Sequence, residues 1–274
     1  MPNSLDQFYT LESDVDMCIA VVKELYDLSK FEAIVEPSAG EGAFSSKLLS
    51  YGIIALDLEP MGEGIIEQDF LTYSPTFKNA LTIGNPPFGR RGSLAKKFIK
   101  KASSFSNVIA FILPSIFMKP SFTNNLPPYL HLVKTVKGID TFKLPDGKLH
   151  KVNCCFQIWE KKSSKREKIV EPNTHEDFTI THAHLSRTSE DQLSKLKNDN
   201  DFCIGQVTGK LADIENISKG SQYFIKDNTS AKTVRKVFEE EKLTQPHAYN
   251  MGAVSFSRAD IVAIYTLRIA KNTS

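Results

Sequence analysis

The stretch AIVEPSAGEGAFSSKLLSYGIIALD, residues 33–57, decides the reading of the fold. An apolar run, Ala33 to Val35, stops at Glu36-Pro37, and Gly40 and Gly42 follow at once. Glycines let a backbone turn tightly and approach a ligand, while a helix starting there offers unpaired N–H groups. SSKLLSYG, 45–52, reads as that helix, ending at Gly52, and IIALD, 53–57, reads as the next strand. The turn is a poor phosphate cradle. No Gly-Lys-Ser/Thr follows, and Glu36 and Glu41 would repel an anion, so a neutral or cationic ligand group suits it better.

The same alternation runs outward. GIIEQDF (64–70), ALTIG (80–84), NVIAFILP (107–114) and KVNCCFQIWEK (151–161) read as further strands. Val15, Ile19, Val22 and Leu25-Tyr26 recur at helical spacing, and Ser93 precedes a helix with Leu94, Ala95, Phe98, Ile99 and Ala102 on one face. Strands alternating with helices imply an α/β fold, a mostly parallel sheet with helices on both faces. After Lys162 the texture becomes polar. The expected organisation is a catalytic domain over 1–162, a linker over 163–200 and a small mixed C-terminal region over 201–274. That last region holds helices at 230–242 and 257–270, the second opened by a Ser257/Asp260 capping box.

Hydrophobic residues make up 41% of the 274 and charged residues 24%, which is ordinary for a soluble globular chain. The longest aliphatic-aromatic run, Val108 to Leu113, is too short to span a bilayer, and the polar N-terminus does not read as a signal peptide. Four cysteines include no C-x-x-C pair, and the histidines cluster only at His182-Ala183-His184, so no metal site or disulfide framework is expected. Cys154 and Cys155, adjacent in a strand, point to opposite faces and read as packing. The expectation is a cytoplasmic protein, nuclear in a eukaryote. Charge is unevenly spread: residues 1–72 hold 14 acids and 3 bases, whereas residues 73–164 hold 3 acids and 15 bases. A positive face most often meets a polyanion, which makes nucleic acid the expected partner, the alternative being that the charge blocks interleave in space and cancel.

Asp57, at a strand end, can accept both ribose hydroxyls of an adenosine moiety, and Asp69 an exocyclic amine. Together QFYT (7–10), EPSAGEGAF (36–44), ALDLEP (55–60), QDF (68–70) and GNPPFG (84–89) resemble the class I S-adenosylmethionine-dependent methyltransferases. They are most similar to the amino-methylating group of γ arrangement, typified by adenine-N6 DNA methyltransferases. The resemblance covers about residues 7–162. It implies a Rossmann-like sheet of seven strands, the last antiparallel, with S-adenosyl-L-methionine at the strands' carboxyl ends. It further implies that Tyr9 and Thr10 close over the methionine end and that Glu36, Ser38 and Gly40 line the amino-acid part. Asp57 would hold the ribose, and Asp69 with Phe70 the adenine.

The tetrapeptide Asn85-Pro86-Pro87-Phe88 then has a chemical reading. An exocyclic amine is a poor nucleophile because its lone pair is delocalised into the ring. Two acceptors, the Asn85 side-chain oxygen and the Pro86 carbonyl, would favour a pyramidal nitrogen. Proline lacks an N–H and has a fixed φ, so Pro86 and Pro87 hold that carbonyl rigidly and remove competing donors. Phe88 would stack on the base, so catalysis would be positioning and preorganised dipoles. Arg90 and Arg91 are expected on phosphates, while Lys96, Lys97, Lys100 and Lys101 form a polar helix face. A duplex base cannot reach such a pocket, so the target must be flipped out or single-stranded. From the last strand Trp159, or second Phe156, is expected to stack on its other side. The expected reaction is methylation of adenine N6 in DNA. The alternatives are RNA (adenine N6 or guanine N2), since N-P-P-Phe is shared with RNA methyltransferases, and glutamine N-methylation on a protein. A non-catalytic nucleic-acid-binding partner of an active enzyme stands apart from these.

Overall fold

The structure is a computed structural model describing residues 8–239 and 255–272. Gln7 of the QFYT motif and the expected helical residues 240–242 lie outside the described residues. The chain divides into two units, the first ending at Ile169.

In the first unit the strands are β1 (Tyr9–Thr10), β2 (Ala33–Glu36), β3 (Ile54–Asp57), β4 (Ile66–Glu67), β5 (Ala80–Gly84), β6 (Ser106–Pro114), β7 (Leu130–Lys143) and β8 (Leu149–Lys161). They form one sheet in the order β1-β7-β8-β6-β5-β2-β3-β4. From β4 to β6 every pairing is parallel, and β8 runs antiparallel between β6 and β7. This is the expected seven-stranded arrangement with one addition: the two-residue β1 pairs Tyr9 with Lys143 and Thr10 with Phe142 at the β7 edge. The chain leaves β2 towards β3 on one side and β5 continues to β6 on the other. That reversal opens a crevice at the strands' carboxyl ends, where open α/β sheets bind ligands.

Two helices cover the two faces. Helix α1 (Glu12–Leu25) buries Val15, Cys18, Ile19 and Val22 against Val108, Ala110, Ile112, Phe156 and Ile158. Helix α2 (Ser93–Ala102) buries Ala95, Phe98, Ile99 and Ala102 against Ile109, Phe111 and Trp159. Alternate residues of β6 and β8 thus enter different cores, as a period of two requires. Cys154 and Cys155 are buried free thiols whose burial pushes their pKa values up, in keeping with packing. A one-turn helix, α3 (Pro120–Thr123), completes the unit and is tied down by Arg166, which donates to the carbonyls of Thr123, Leu126, Pro127 and Leu130.

The segment 45–51 departs from expectation. It forms two 3-10 turns, Ser45–Lys47 and Leu49–Tyr51, before Gly52 takes the left-handed conformation at φ 66°. The cause is upstream: the Glu36 carboxyl takes the N–H groups of Phe44 (3.3 Å) and Ser45 (2.7 Å), so the chain is pinned where an α-helix would begin.

In the second unit β9 (Phe178–His184), β10 (Phe202–Gly205), β11 (Leu211–Asp213) and β12 (Ser221–Asp227) form an antiparallel sheet in the order β11-β10-β12-β9. Helices α5 (Val234–Glu239) and α6 (Arg258–Asn272) share an aromatic core with Phe178, Phe202 and Ile225. Helix α4 (Glu190–Asp199) supplies Leu193 and Leu196 beside Cys203 and Phe224. The Ser257/Asp260 box is present, each group accepting from the other's backbone N–H. The expected linker 163–200 is corrected here, because β9 and α4 lie inside it. The polar residues Thr179, Thr181 and His182 around Ile180 hide the strand, and a Ser189/Gln192 capping box marks the start of α4.

Candidate active site

A cavity of about 330 Å³ lies at the carboxyl ends of β2, β3, β4 and β5, a size within the ordinary range of small-molecule sites. Its wall includes Tyr9, Thr10, Glu36, Ser38, Gly40, Asp57, Asp69, Phe70, Asn85, Pro86, Pro87 and Phe88. These residues come from five separate stretches of chain, and the fold brings all of them to one place.

Gly40 turns at φ 55°, and a Cβ built on it would stand 3.1 Å from the Tyr9 ring. A side chain there would therefore press on the pocket wall as well as strain the backbone. Asp57 braces this loop from the neighbouring strand: Oδ2 accepts from the Gly40 N–H at 2.7 Å and Oδ1 from the Glu59 N–H at 2.8 Å. A carboxylate has about four acceptor positions, so both oxygens keep capacity for hydroxyl donors. Glu36 is buried deeper. Burial pushes its carboxyl up to about 8, against the pull of the hydrogen bonds from Ser45 and Phe44, while the nearby Asp57 charge adds to the rise. Its main work is to shape the loop. The Tyr9 hydroxyl donates to Met61 Sδ at 3.2 Å, and burial with the charges of Glu41, Asp57 and Glu59 raises its pKa. Asp69 Oδ1 accepts from the Leu71 N–H at 2.8 Å, which fixes the carboxylate at the cavity wall. Phe70 is buried, stacked on Phe98 at 5.2 Å.

Asn85 is the most informative residue. Its Nδ2 donates to the Phe8 carbonyl at 2.8 Å and to Thr10 Oγ1 at 3.2 Å, while its backbone carbonyl accepts from Ser38 Oγ at 3.1 Å. Those partners define which end of the carboxamide is oxygen. The oxygen, Oδ1, is buried and has no hydrogen-bond partner among the described residues. An unpaired buried acceptor costs roughly 1–3 kcal/mol, and Asn85 lines the ligand-sized cavity. Pro86 beside it is buried, and Phe88 is 2% exposed, packed against Phe8 (6.1 Å, nearly parallel) and Phe142.

Arg90 and Arg91 leave the tetrapeptide exposed and without partners among the described residues. Arg91 holds φ 54°, ψ 35°, a left-handed conformation uncommon outside glycine. Of the lysines, Lys96 lies over the Phe122 ring at 3.9 Å, and its pKa is lowered by burial. Lys97 and Lys100 are exposed.

The expected base-stacking residues of the last strand are corrected. Trp159 and Phe156 are both 0% exposed, because β8 is an interior strand with a helical layer on each face. The Trp159 Nε1 donates to Gln157 Oε1 at 3.2 Å and its ring belongs to the α2 core. Trp159→Ala is therefore expected to cost about 3–5 kcal/mol of stability in a denaturant titration. A loss of nucleic-acid binding at unchanged stability would contradict this placement. Phe8, whose carbonyl accepts from Asn85, lines the cavity, and its ring stacks on His150 at 5.6 Å. Phe8 sits inside the QFYT motif, so a signal for it existed. His150 gives none, since its position depends on the β7–β8 pairing.

The strand order is that of a Rossmann-like α/β fold, a large mostly parallel sheet with its cavity at the strands' carboxyl ends. No protein-family model matches the chain, and no curated protein matches it in sequence. Solved structures with a similar fold include a Pyrococcus horikoshii protein proposed to methylate RNA (17% identity, 59% of this chain, 90% of that one, TM-score 0.46). Others are the magnesium protoporphyrin IX methyltransferase of Synechocystis with bound S-adenosylmethionine (9%, 55% and 79%, 0.40) and the 23S rRNA methyltransferase ErmE (12%, 96% and 100%, 0.40).

Proposed function

We propose that this chain is an S-adenosylmethionine-dependent methyltransferase acting on the N6 amine of adenine in DNA, with the base flipped out or single-stranded. The observation that carries the reading is Asn85 itself, held by the Phe8 carbonyl, Thr10 and Ser38 on the wall of the cavity that the glycine loop and Asp57 also line, with an Oδ1 that has no partner among the described residues. The residues present fit the cofactor. Asp57 offers acceptors to a ribose, Asp69 an acceptor to an adenine amine, and the Gly40 turn leaves room for an amino-acid moiety. When bound, S-adenosylmethionine would supply an electrophilic methyl whose sulfonium becomes a neutral thioether on transfer to the amine, with the surplus proton lost to water. Asn85 Oδ1 accepts one N–H of the amine and the Pro86 carbonyl the other. Both dipoles favour the charge that develops on nitrogen during attack. Orientation is prepaid by the fold, since Ser38 fixes the Asn85 backbone and proline stiffens the next residue.

Exposed Arg90 and Arg91, next to the catalytic peptide, fit phosphate contacts flanking the target. Replacing both with alanine is expected to weaken DNA binding and to flatten the log–log salt dependence by about 0.9 for each phosphate no longer neutralised. An unaltered slope would place the phosphate-binding surface elsewhere.

The test of the reaction is methyl transfer from labelled cofactor to matched DNA and RNA strands, single and duplex, with the product nucleoside identified by mass. N6-methyladenine in DNA is the expected product. Label confined to RNA would transfer the chemistry to the other polymer, and label only in protein would move it to glutamine.

A further inference from the structure

The resemblance places Thr10 at the methionine end of the cofactor, but the geometry around Asn85 gives it a different role. We infer that Thr10 is a positioning residue for Asn85. This rests on the reading of Asn85 as the acceptor of the substrate amine. A carboxamide can rotate by half a turn at little cost, exchanging oxygen for NH₂. In the wrong orientation Asn85 would present donors to the donors of the amine, and the site would repel its substrate.

The Phe8 carbonyl can only accept and so opposes this flip, and both Nδ2 hydrogens have acceptors. One goes to the Phe8 carbonyl and the other to Thr10 Oγ1. Neither acceptor is close in sequence, the separations being 77 and 75 residues. Both belong to the chain around β1, which exists only because Tyr9 and Thr10 pair with Lys143 and Phe142 of β7. The residue between them faces the cofactor loop: Tyr9 reaches Met61 through its hydroxyl and lies against Gly40. Three consecutive residues thus hold the acceptor amide with two and touch the cofactor loop with one. The edge strand is a clamp on Asn85. The Phe8 carbonyl, which can only accept, fixes which end of the amide is oxygen, and the Thr10 hydroxyl takes the second Nδ2 hydrogen and holds the amide in place.

Thr10→Val keeps the side-chain shape and removes the Oγ1 acceptor. The hydrogen bond concerned is neutral, so its loss is expected to lower kcat by roughly 3–10-fold, with KM and cofactor affinity within about twofold. Thr10→Ser, which restores the hydroxyl, is expected to recover most of the rate. A wild-type kcat in the valine variant would overturn the inference. So would a fall in cofactor affinity matching the fall in kcat, which would return Thr10 to the cofactor.

A readout independent of turnover keeps the two claims apart. The side-chain NH₂ resonances of Asn85, identified by their absence in Asn85→Ala, are expected to be slow to exchange with solvent. In Thr10→Val one of the two protons is expected to exchange faster, and in Thr10→Ser to regain protection. Unchanged exchange would refute the clamp. Loss of protection in an enzyme that transfers no methyl to any substrate would leave the clamp standing and refute the proposed function.

Discussion

Asn85→Ala is expected to lower methyl transfer by at least ~10²-fold while S-adenosylmethionine binds nearly as before. The scale is that of removing one preorganised polar group aimed at developing charge. Alanine removes the oxygen that has no partner among the described residues, and with it the proposed acceptor for one N–H of the amine. It also releases the Phe8 carbonyl and Thr10 Oγ1, but these belong to the edge strand and not to the β2–β3 loops that carry Asp57 and Gly40. Single-turnover transfer together with a calorimetric titration of cofactor separates the two effects. If cofactor affinity falls as far as the rate, Asn85 is a support for β1 and the acceptor role is wrong.

Asp57→Ala is expected to weaken cofactor binding by about 10- to 100-fold. Hydrogen bonds to charged groups are each worth roughly 1.5–3 kcal/mol, and 1.4 kcal/mol is a factor of ten. Two contributions combine here. The alanine cannot accept from ribose hydroxyls, and it abandons the N–H groups of Gly40 and Glu59, so the glycine loop loses its brace. Asp57→Asn tells them apart, since one amide oxygen can still accept from the Gly40 N–H. Recovery of affinity in the asparagine variant would assign most of the effect to the loop. Unchanged affinity in the alanine variant would remove Asp57 from the cofactor site altogether.

What could be read from the sequence was what depends on neighbours along the chain. AIVE, ALTIG and NVIAFILP are strands because parallel strands buried on both faces are continuous apolar runs. The glycine turn, Asp57 and the Asn85 tetrapeptide are local patterns whose chemistry is carried by adjacent residues, and all of them meet in one cavity. What could not be read depends on residues far apart. Trp159 and Phe156 alternate as a strand's residues do, but in a sheet covered on both sides each face is interior. SSKLLSYG has the pattern of a short helix, and a carboxyl nine residues before Ser45 prevents it. The two-residue β1 has no sequence signature, since its partner lies more than a hundred residues later. The clamp on Asn85 exists only after that pairing forms.

The most direct test of the account is binding rather than turnover. Affinities would be measured for two single-stranded DNA oligonucleotides, one with adenine at the target and one with purine, which lacks the 6-amino group. Wild-type enzyme and Asn85→Ala would be compared, each saturated with the demethylated cofactor product. The wild type is expected to prefer adenine by roughly 3- to 10-fold more than Asn85→Ala does, the value of the one neutral hydrogen bond that the variant loses, the Pro86 carbonyl remaining in both. Equal affinity of the wild type for both strands, or the same preference in both proteins, would contradict the claim that Asn85 Oδ1 receives the amine.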